Sequence, residues 1–234
     1  KNVLHYTLEL ADTVVAGRYD AAITGVELKN LAVFKEKIYD EIREIEGRLI
    51  VKEYPTRSAS IQTIKNHVEK LKRRNFSPDM IIVDYGDLIR PENSRKDEKR
   101  HQLETIYEEL RGIAQICECP VWTASQTNRS GLNAEVITME SISEAFNKCF
   151  VADFIFTVSR TVEDKNTNQG RIFVAKNRNG PDGLVYPIFM DTSSVKIKVL
   201  NKTRESVDEI INRSSKERLD TLKEKYAAFK KEKK

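Results

Sequence analysis

The 234 residues hold little that would staple a fold covalently or through metal. Three cysteines, Cys117, Cys119 and Cys149, form no disulfide framework and point to a reducing compartment. Cys117-x-Cys119 lacks the second ligand pair of a structural metal site. The three histidines, His5, His67 and His101, are scattered, with no metal or triad spacing. No apolar run approaches the roughly 18 residues of a membrane span, so no membrane partner is expected. There is no signal-peptide pattern, so the expected location is the cytoplasm, or the host cytoplasm for a viral protein. Strong charge of one sign is also missing: the net +4 resides in residues 201–234, and the remainder is formally neutral. A neutral body argues against a protein that coats nucleic acid over its whole surface, while allowing local basic loops. No internal repeat is visible, and no G-x-x-x-x-G-K-[ST] pattern occurs. The chain opens on Lys1 rather than Met, and is expected to be a piece of a longer one.

What the sequence does hold is organised around Met80-Ile81-Ile82-Val83-Asp84-Tyr85. Four apolar residues running into an aspartate suit a strand buried on both faces of a parallel sheet. In open α/β sheets ligands sit beyond the carboxyl ends of the strands, where an aspartate can hold Mg²⁺. Val3 to Leu8 reads as another strand, ending at Glu9. Val121 to Ser125 reads as a third, ending at Gln126. Between them lie helical stripes with apolar residues three and four apart. One runs through Leu28, Leu31, Phe34, Ile38, Ile42 and Ile45, and closes at Gly47. A second carries Ile61, Ile64, Val68 and Leu71, capped by Ser58 or Ser60. A third carries Leu103, Ile106, Tyr107, Leu110, Ile113 and Cys117. Trp122 is expected in the core. Strands alternating with helices to about residue 150 predict an α/β fold with a mainly parallel sheet flanked by helices. Leu184–Met190 and Val195–Val199 predict a C-terminal antiparallel hairpin. Residues 1–200 form one expected domain, and 201–234 a charged, helical tail.

Three strand tips thus offer Glu9, Asp84 and Gln126. Phosphoryl transfer to water needs a metal, a group that positions the water, a sensor for the γ-phosphate and positive charge on the transition state. Asp84 suits Mg²⁺, Glu9 suits the base, and Gln126, able to donate and accept, suits the sensor. Lys176 and Arg178, two apart before a Gly-Pro turn, suit one phosphate, and Arg178 has the better fork for it. Each residue alone has an ordinary alternative as an N-cap, turn former or surface charge.

The motifs Tyr6-Thr7-Leu8-Glu9-Leu10, Ile81 to Tyr85, Val121 to Arg129 (VWTASQTNR) and Ala175 to Pro181 (AKNRNGP) together resemble those of DnaB-type replicative helicases, the hexameric RecA-fold motors of bacteria and phages. The resemblance covers about residues 1–200. It implies a RecA-like fold, ATP and Mg²⁺ as cofactors, single-stranded DNA as partner, a homo-hexamer, and a primase and a helicase loader as further partners. By resemblance Glu9 is the catalytic carboxylate, Asp84 the Walker B aspartate and Gln126 the γ-phosphate-coupled residue. Lys176 and Arg178 are then offered in trans to a neighbouring subunit's nucleotide. Two stretches would line the DNA channel, Arg90–Arg100 and about Ser130–Phe146, with Arg90, Arg95, Lys96, Arg129 and Lys148 as candidate contacts.

Two departures from the family pattern matter. The phosphate-binding loop is not among these residues, so they are expected to begin just downstream of it and to bind ATP poorly alone. Where the family carries an Arg-Glu pair in the second channel stretch, this sequence has Ser143-Glu144, leaving Lys148 or Arg129 as substitutes. The other readings are a RecA-fold scaffold or loader module without catalysis, and another RecA-like ATPase of the recombinase or KaiC type. The Lys176–Pro181 turn speaks against the last.

Overall fold

The computed structural model describes residues 1–92, 99–128, 134–141 and 147–200, with the backbone of 205–206. They fall into two compact units. The first holds Lys1–Ser130, Met139–Asp153 and Met190–Ile197; the second holds Gly131–Thr138, Phe154–Phe189 and Lys198–Lys234.

The first unit is built on a four-stranded sheet. Its strands are β1 (Asn2–Thr7), β2 (Arg48–Glu53), β3 (Met80–Asp84) and β4 (Val121–Thr123), in the order β2-β1-β3-β4. Every pairing is parallel, so all four carboxyl ends point the same way. Helices α1 (Asp12–Thr24), α2 (Lys35–Arg43), α3 (Ile61–Lys72), α4 (Lys99–Cys117) and α5 (Asn147–Val151) complete it. The core follows from strand alternation. Leu4, Tyr6, Leu8, Ile81 and Val83 point to one face of the sheet. There they meet Ile61, Ile64, Val68 and Leu71 of α3 and Ile106, Leu110 and Ile113 of α4. Each such fully buried aliphatic side chain contributes roughly 1.5–3 kcal/mol. Ser60 caps α3 by accepting from the Thr63 amide, and Thr63 answers in a reciprocal capping box.

Two expectations fail here. The stripe from Leu28 to Ile45 is not one helix: Leu28–Asn30 is a short 3₁₀ turn and α2 begins only at Lys35. Phe34, at φ −100° and ψ 24°, leaves helical geometry and resets the period. Of the six stripe residues only Ile38 is buried, so the packing that would hold a longer helix together is missing. Trp122 is not in the core either. It pairs with Ile82, on the sheet face opposite the α3–α4 core, and is 38 % exposed.

Strands β5 (Phe154–Ser159), β6 (Gln169–Asn177), β7 (Leu184–Asp191) and β8 (Lys196–Val199) form a second sheet in the order β5-β6-β7-β8; β5, α6 (Val162–Asn166), β6 and β7 as far as Phe189 belong to the second unit. β5–β6 and β6–β7 are antiparallel. Antiparallel pairing therefore starts at β5, earlier than the hairpin predicted from residue 184. The connections, through α6 from β5 to β6 and through the turn after Asn177 from β6 to β7, are shorter than the dozen or more residues a parallel crossover needs. The expected helical tail lies outside the described residues, apart from the backbone at 205–206. Among the described residues no helix is long and apolar enough to cross a membrane.

Candidate nucleotide site

The three expected strand tips are neighbours. β1 lies beside β3, and β3 beside β4, so Glu9, Asp84 and Gln126 leave adjacent parallel strands at the same end. The register places Thr7 opposite Asp84, and the ladder extends one step as the Leu8 amide donates to the Asp84 carbonyl at 2.8 Å. Beyond it the chain turns sharply. Thr7 Oγ1 donates to the Leu10 carbonyl at 2.7 Å and accepts from the Leu10 amide at 3.2 Å. That turn leaves Glu9 at its apex, exposed to solvent.

Asp84 lies half-buried on the sheet face that also carries His5 and Trp122. Its charge is felt by two side chains of that face. Burial holds the His5 imidazole below its usual value although Asp84 pulls it upward. Burial, aided by Asp84, pushes the Tyr19 phenol up. His5 Nδ1 and Tyr19 Oη are 2.9 Å apart. The peptide joining Asp84 to Tyr85 is cis.

The third tip is stitched to the second. Thr123 Oγ1 donates to the Val83 carbonyl at 2.8 Å and accepts from the Gly86 amide at 2.8 Å. Gly86 permits this approach: a Cβ there would meet Thr123 Oγ1 at 3.1 Å and Tyr107 at 3.4 Å. Gln126 is exposed, and its Nε2 donates to Tyr85 Oη at 2.9 Å. Tyr85, Thr123, Ser125 and Asp87 thus belong to the site although the sequence reading passed them over. Asp87 gave one usable signal, a carboxylate just before the apolar pair Leu88-Ile89.

Lys176 and Arg178 belong to the second unit. Lys176 is on β6, and Arg178 follows its end, exposed, in the turn after Asn177. Asn177 builds that turn. Its Oδ1 accepts from the Asn179 amide at 3.3 Å, its Nδ2 donates to the Pro181 carbonyl at 3.3 Å, and its carbonyl accepts from the Gly180 amide at 3.4 Å. A Cβ on Gly180 would meet Asn177 Nδ2 at 2.7 Å, so a side chain there would displace the Asn177 amide.

The expected DNA contacts divide three ways. Arg90 is exposed, with its amide fixed to the Ala59 carbonyl at 2.9 Å. Arg95, Lys96 and Arg129 lie outside the described residues, as does Ser143-Glu144. Lys148 is corrected: its side chain is 2 % exposed and ion-paired to Asp87 at 2.9 Å. An ammonium buried against its own carboxylate is not on offer to a DNA phosphate.

No group of three or more His, Cys, Asp or Glu suited to a metal ion occurs among the described residues. That pattern still fits Mg²⁺, which is commonly held by one or two carboxylates together with substrate phosphates and water. Asp84, at a strand end, is the residue suited to it.

A parallel sheet in the order β2-β1-β3-β4 with helices packed on it defines a RecA-like α/β fold. The family model for the DnaB-like helicase C-terminal domain matches residues 1–196, and the chain belongs to that family. Among curated proteins, a DnaB-like replicative helicase of Enterobacteria phage T4 is 34 % identical over 191 residues, covering 76 % of this chain and 40 % of that protein. The replicative helicase DnaB of Mycoplasma genitalium is 25 % identical over 210 residues, covering 82 % and 44 %. The chain thus spans less than half the length of these relatives. Among solved structures, a DnaB-like replicative helicase described with its interactions with primase matches with a TM-score of 0.70 at 18 % identity, covering 84 % of this chain and 51 % of that one. A second solved structure, described as an ATPase domain, matches with a TM-score of 0.71 at 17 % identity, covering 87 % and 75 %.

Proposed function

We propose that this chain is the motor domain of a hexameric replicative helicase that hydrolyses ATP at subunit interfaces and moves along single-stranded DNA. The convergence of Glu9, Asp84 and Gln126 on three adjacent parallel strand tips carries the reading. In it, Asp84 holds Mg²⁺, which supplies charge neutralisation on the phosphates when bound. Glu9, at the apex of its turn, accepts the proton of the attacking water. Gln126 meets the terminal phosphate and gives up or keeps its bond to Tyr85 accordingly. Lys176 and Arg178, on their own turn, reach the nucleotide of a neighbouring subunit and stabilise charge as the phosphoryl group transfers.

Single-stranded DNA would be held mainly through its backbone, with Arg90, Arg95, Lys96 and Arg129 as candidate contacts, so affinity falls steeply with salt. A primase partner is supported by the solved relative described with one. A helicase loader and a host-cytoplasm location complete the proposal, the latter supported by the phage relative.

The test is ATP hydrolysis by the whole protein with and without single-stranded DNA. Hydrolysis stimulated by DNA is expected. DNA binding with no hydrolysis would replace this reading with that of a scaffold or loader module.

A further inference from the structure

Lys148 raises a question that the proposed function leaves unanswered. An ammonium taken out of water is costly unless it is fully paired. Its Nζ reaches Asp87 Oδ1 at 3.2 Å and Oδ2 at 2.9 Å, and lies 5.5 Å from the centroid of the Tyr107 ring. Tyr107 Oη donates to Asp87 Oδ1 at 2.7 Å, and Ser125 Oγ donates to Asp87 Oδ2 at 3.3 Å. One carboxylate therefore collects donors from α4, from α5 and from the segment leaving β4. Burial and the Asp87 charge both push the Tyr107 phenol up, which keeps it a donor. α5 is tied to α4 at both ends. Asn147 Nδ2 donates to Glu104 Oε2 at 3.1 Å, and Arg111 donates to the Val151 carbonyl and to Asp153.

Stability alone does not explain such a pair, because apolar residues of similar volume often hold a fold as well or better. A shared carboxylate does supply registry. Ser125 immediately precedes Gln126, whose own side chain is held by Tyr85. Asp87 stands three residues beyond Asp84, on the chain leaving the neighbouring strand. We propose that Asp87, neutralised by Lys148, is a positioning residue that holds Gln126 in register with Asp84 and ties this strand tip to α5. The anchoring rests on the geometry alone; its effect on catalysis rests on the motor reading above.

The paired variant Asp87→Leu/Lys148→Met separates positioning from folding. Asp87→Asn alone strands a buried ammonium, and its loss of stability would show only that the pair is buried. The double variant removes both charges and is expected to fold, with a melting temperature within a few degrees of wild type. Amide exchange at residues 124–128 is expected to rise about tenfold in it, with β1 and β3 unchanged. In the whole protein, kcat for ATP is expected to fall about tenfold with KM within about twofold, because a mispositioned sensor costs the reaction rather than binding. A folded double variant with native exchange at the tip and native kcat would overturn the proposal. If the double variant does not fold, Ser125→Ala decides: it removes the hydroxyl that ties the tip to Asp87 and leaves the Asp87–Lys148 pair in place, and unchanged exchange at 124–128 would overturn the proposal equally. If the wild-type protein hydrolyses no ATP, the motor reading falls, and the exchange measurement still decides the anchoring.

Discussion

The strand tips of the first unit and the Lys176–Pro181 turn of the second present their side chains by different means. Glu9, Asp84 and Gln126 are placed by a parallel ladder and the core beneath it, through contacts far apart in sequence. In the Arg178 turn, Asn177 bonds backbone groups within four residues of itself. Tip geometry should therefore depend on distant packing and be indifferent to most local exchanges. Turn geometry should behave in the opposite way. The proposed function gives this division a reason: one half of the site is held by burial, and the other is a short, exposed turn.

The largest expected effects come from removing the chemistry on either side. Asp84→Ala and Arg178→Ala should each lower ATP hydrolysis by the whole protein by about 10³-fold or more. The comparison is sharpened by mixing the two variants. If tip and turn act across a subunit boundary, mixed assemblies contain some interfaces with both parts intact, and part of the hydrolysis returns. Mixtures as inactive as the separate variants would place the turn's role within its own subunit or nowhere.

Next in size is an attack on the packing beneath the tips. Ile81 is fully buried between β1 and β4 and joins the core shared with α3 and α4. Ile81→Ala should cost about 2–5 kcal/mol in urea unfolding. A loss within error of zero would mean that the tips do not rest on that core.

A smaller effect is expected from the turn. Asn177→Ala removes the bonds to Asn179 and Pro181 from an exposed site, so global stability should change by less than about 1 kcal/mol. Hydrolysis should nonetheless fall about tenfold, because Arg178 is then no longer presented. Gly180→Ala should act in the same direction, since its Cβ collides with Asn177 Nδ2. Native hydrolysis in both variants would remove Asn177 from its organising role.

This contrast also explains what could be read before the structure. The apolar run Met80–Val83 ending in Asp84 declared its strand and tip, because a buried parallel strand leaves a plain apolar signature, and the strands ending at Glu9 and Gln126 were read beside it. The α3 and α4 stripes were legible for the same reason. The Leu28–Ile45 stripe misled because periodicity records what a helix could bury, while the fold buries only Ile38. Lys148 misled because it was read as a substitute for the family's channel arginine, and its partner Asp87 lies 61 residues earlier. Pairings of that kind carry no local signal. The bond from Gln126 to Tyr85 was hidden likewise, across 41 residues.

The smallest expected effect is a pH dependence of stability from the two histidines on either side of the first unit's sheet. His5 is held down by burial, against the opposing pull of Asp84. His67 is held down by burial and then by Lys52, Lys70 and Arg74. Both folded values therefore lie below the unfolded value of about 6.5. Just below that pH the unfolded chain binds more protons than the folded one. The stability these neutral rings contribute is thus fully present above about pH 6.5 and lost as pH falls through the folded values. The urea midpoint should decline from pH 7.5 to 5.5, and His5→Gln/His67→Gln should flatten the decline. Each ring has a specific phenol to lose, Tyr19 for His5 at 2.9 Å and Tyr6 for His67 at 3.0 Å. Glutamine can still accept from a phenol, so the double variant should remain folded while the slope disappears. A midpoint that rises toward pH 5.5 would show that the carboxylate of Asp84 outweighs burial at His5. The tip would then be more electronegative, and better suited to a cation, than the packing alone implies.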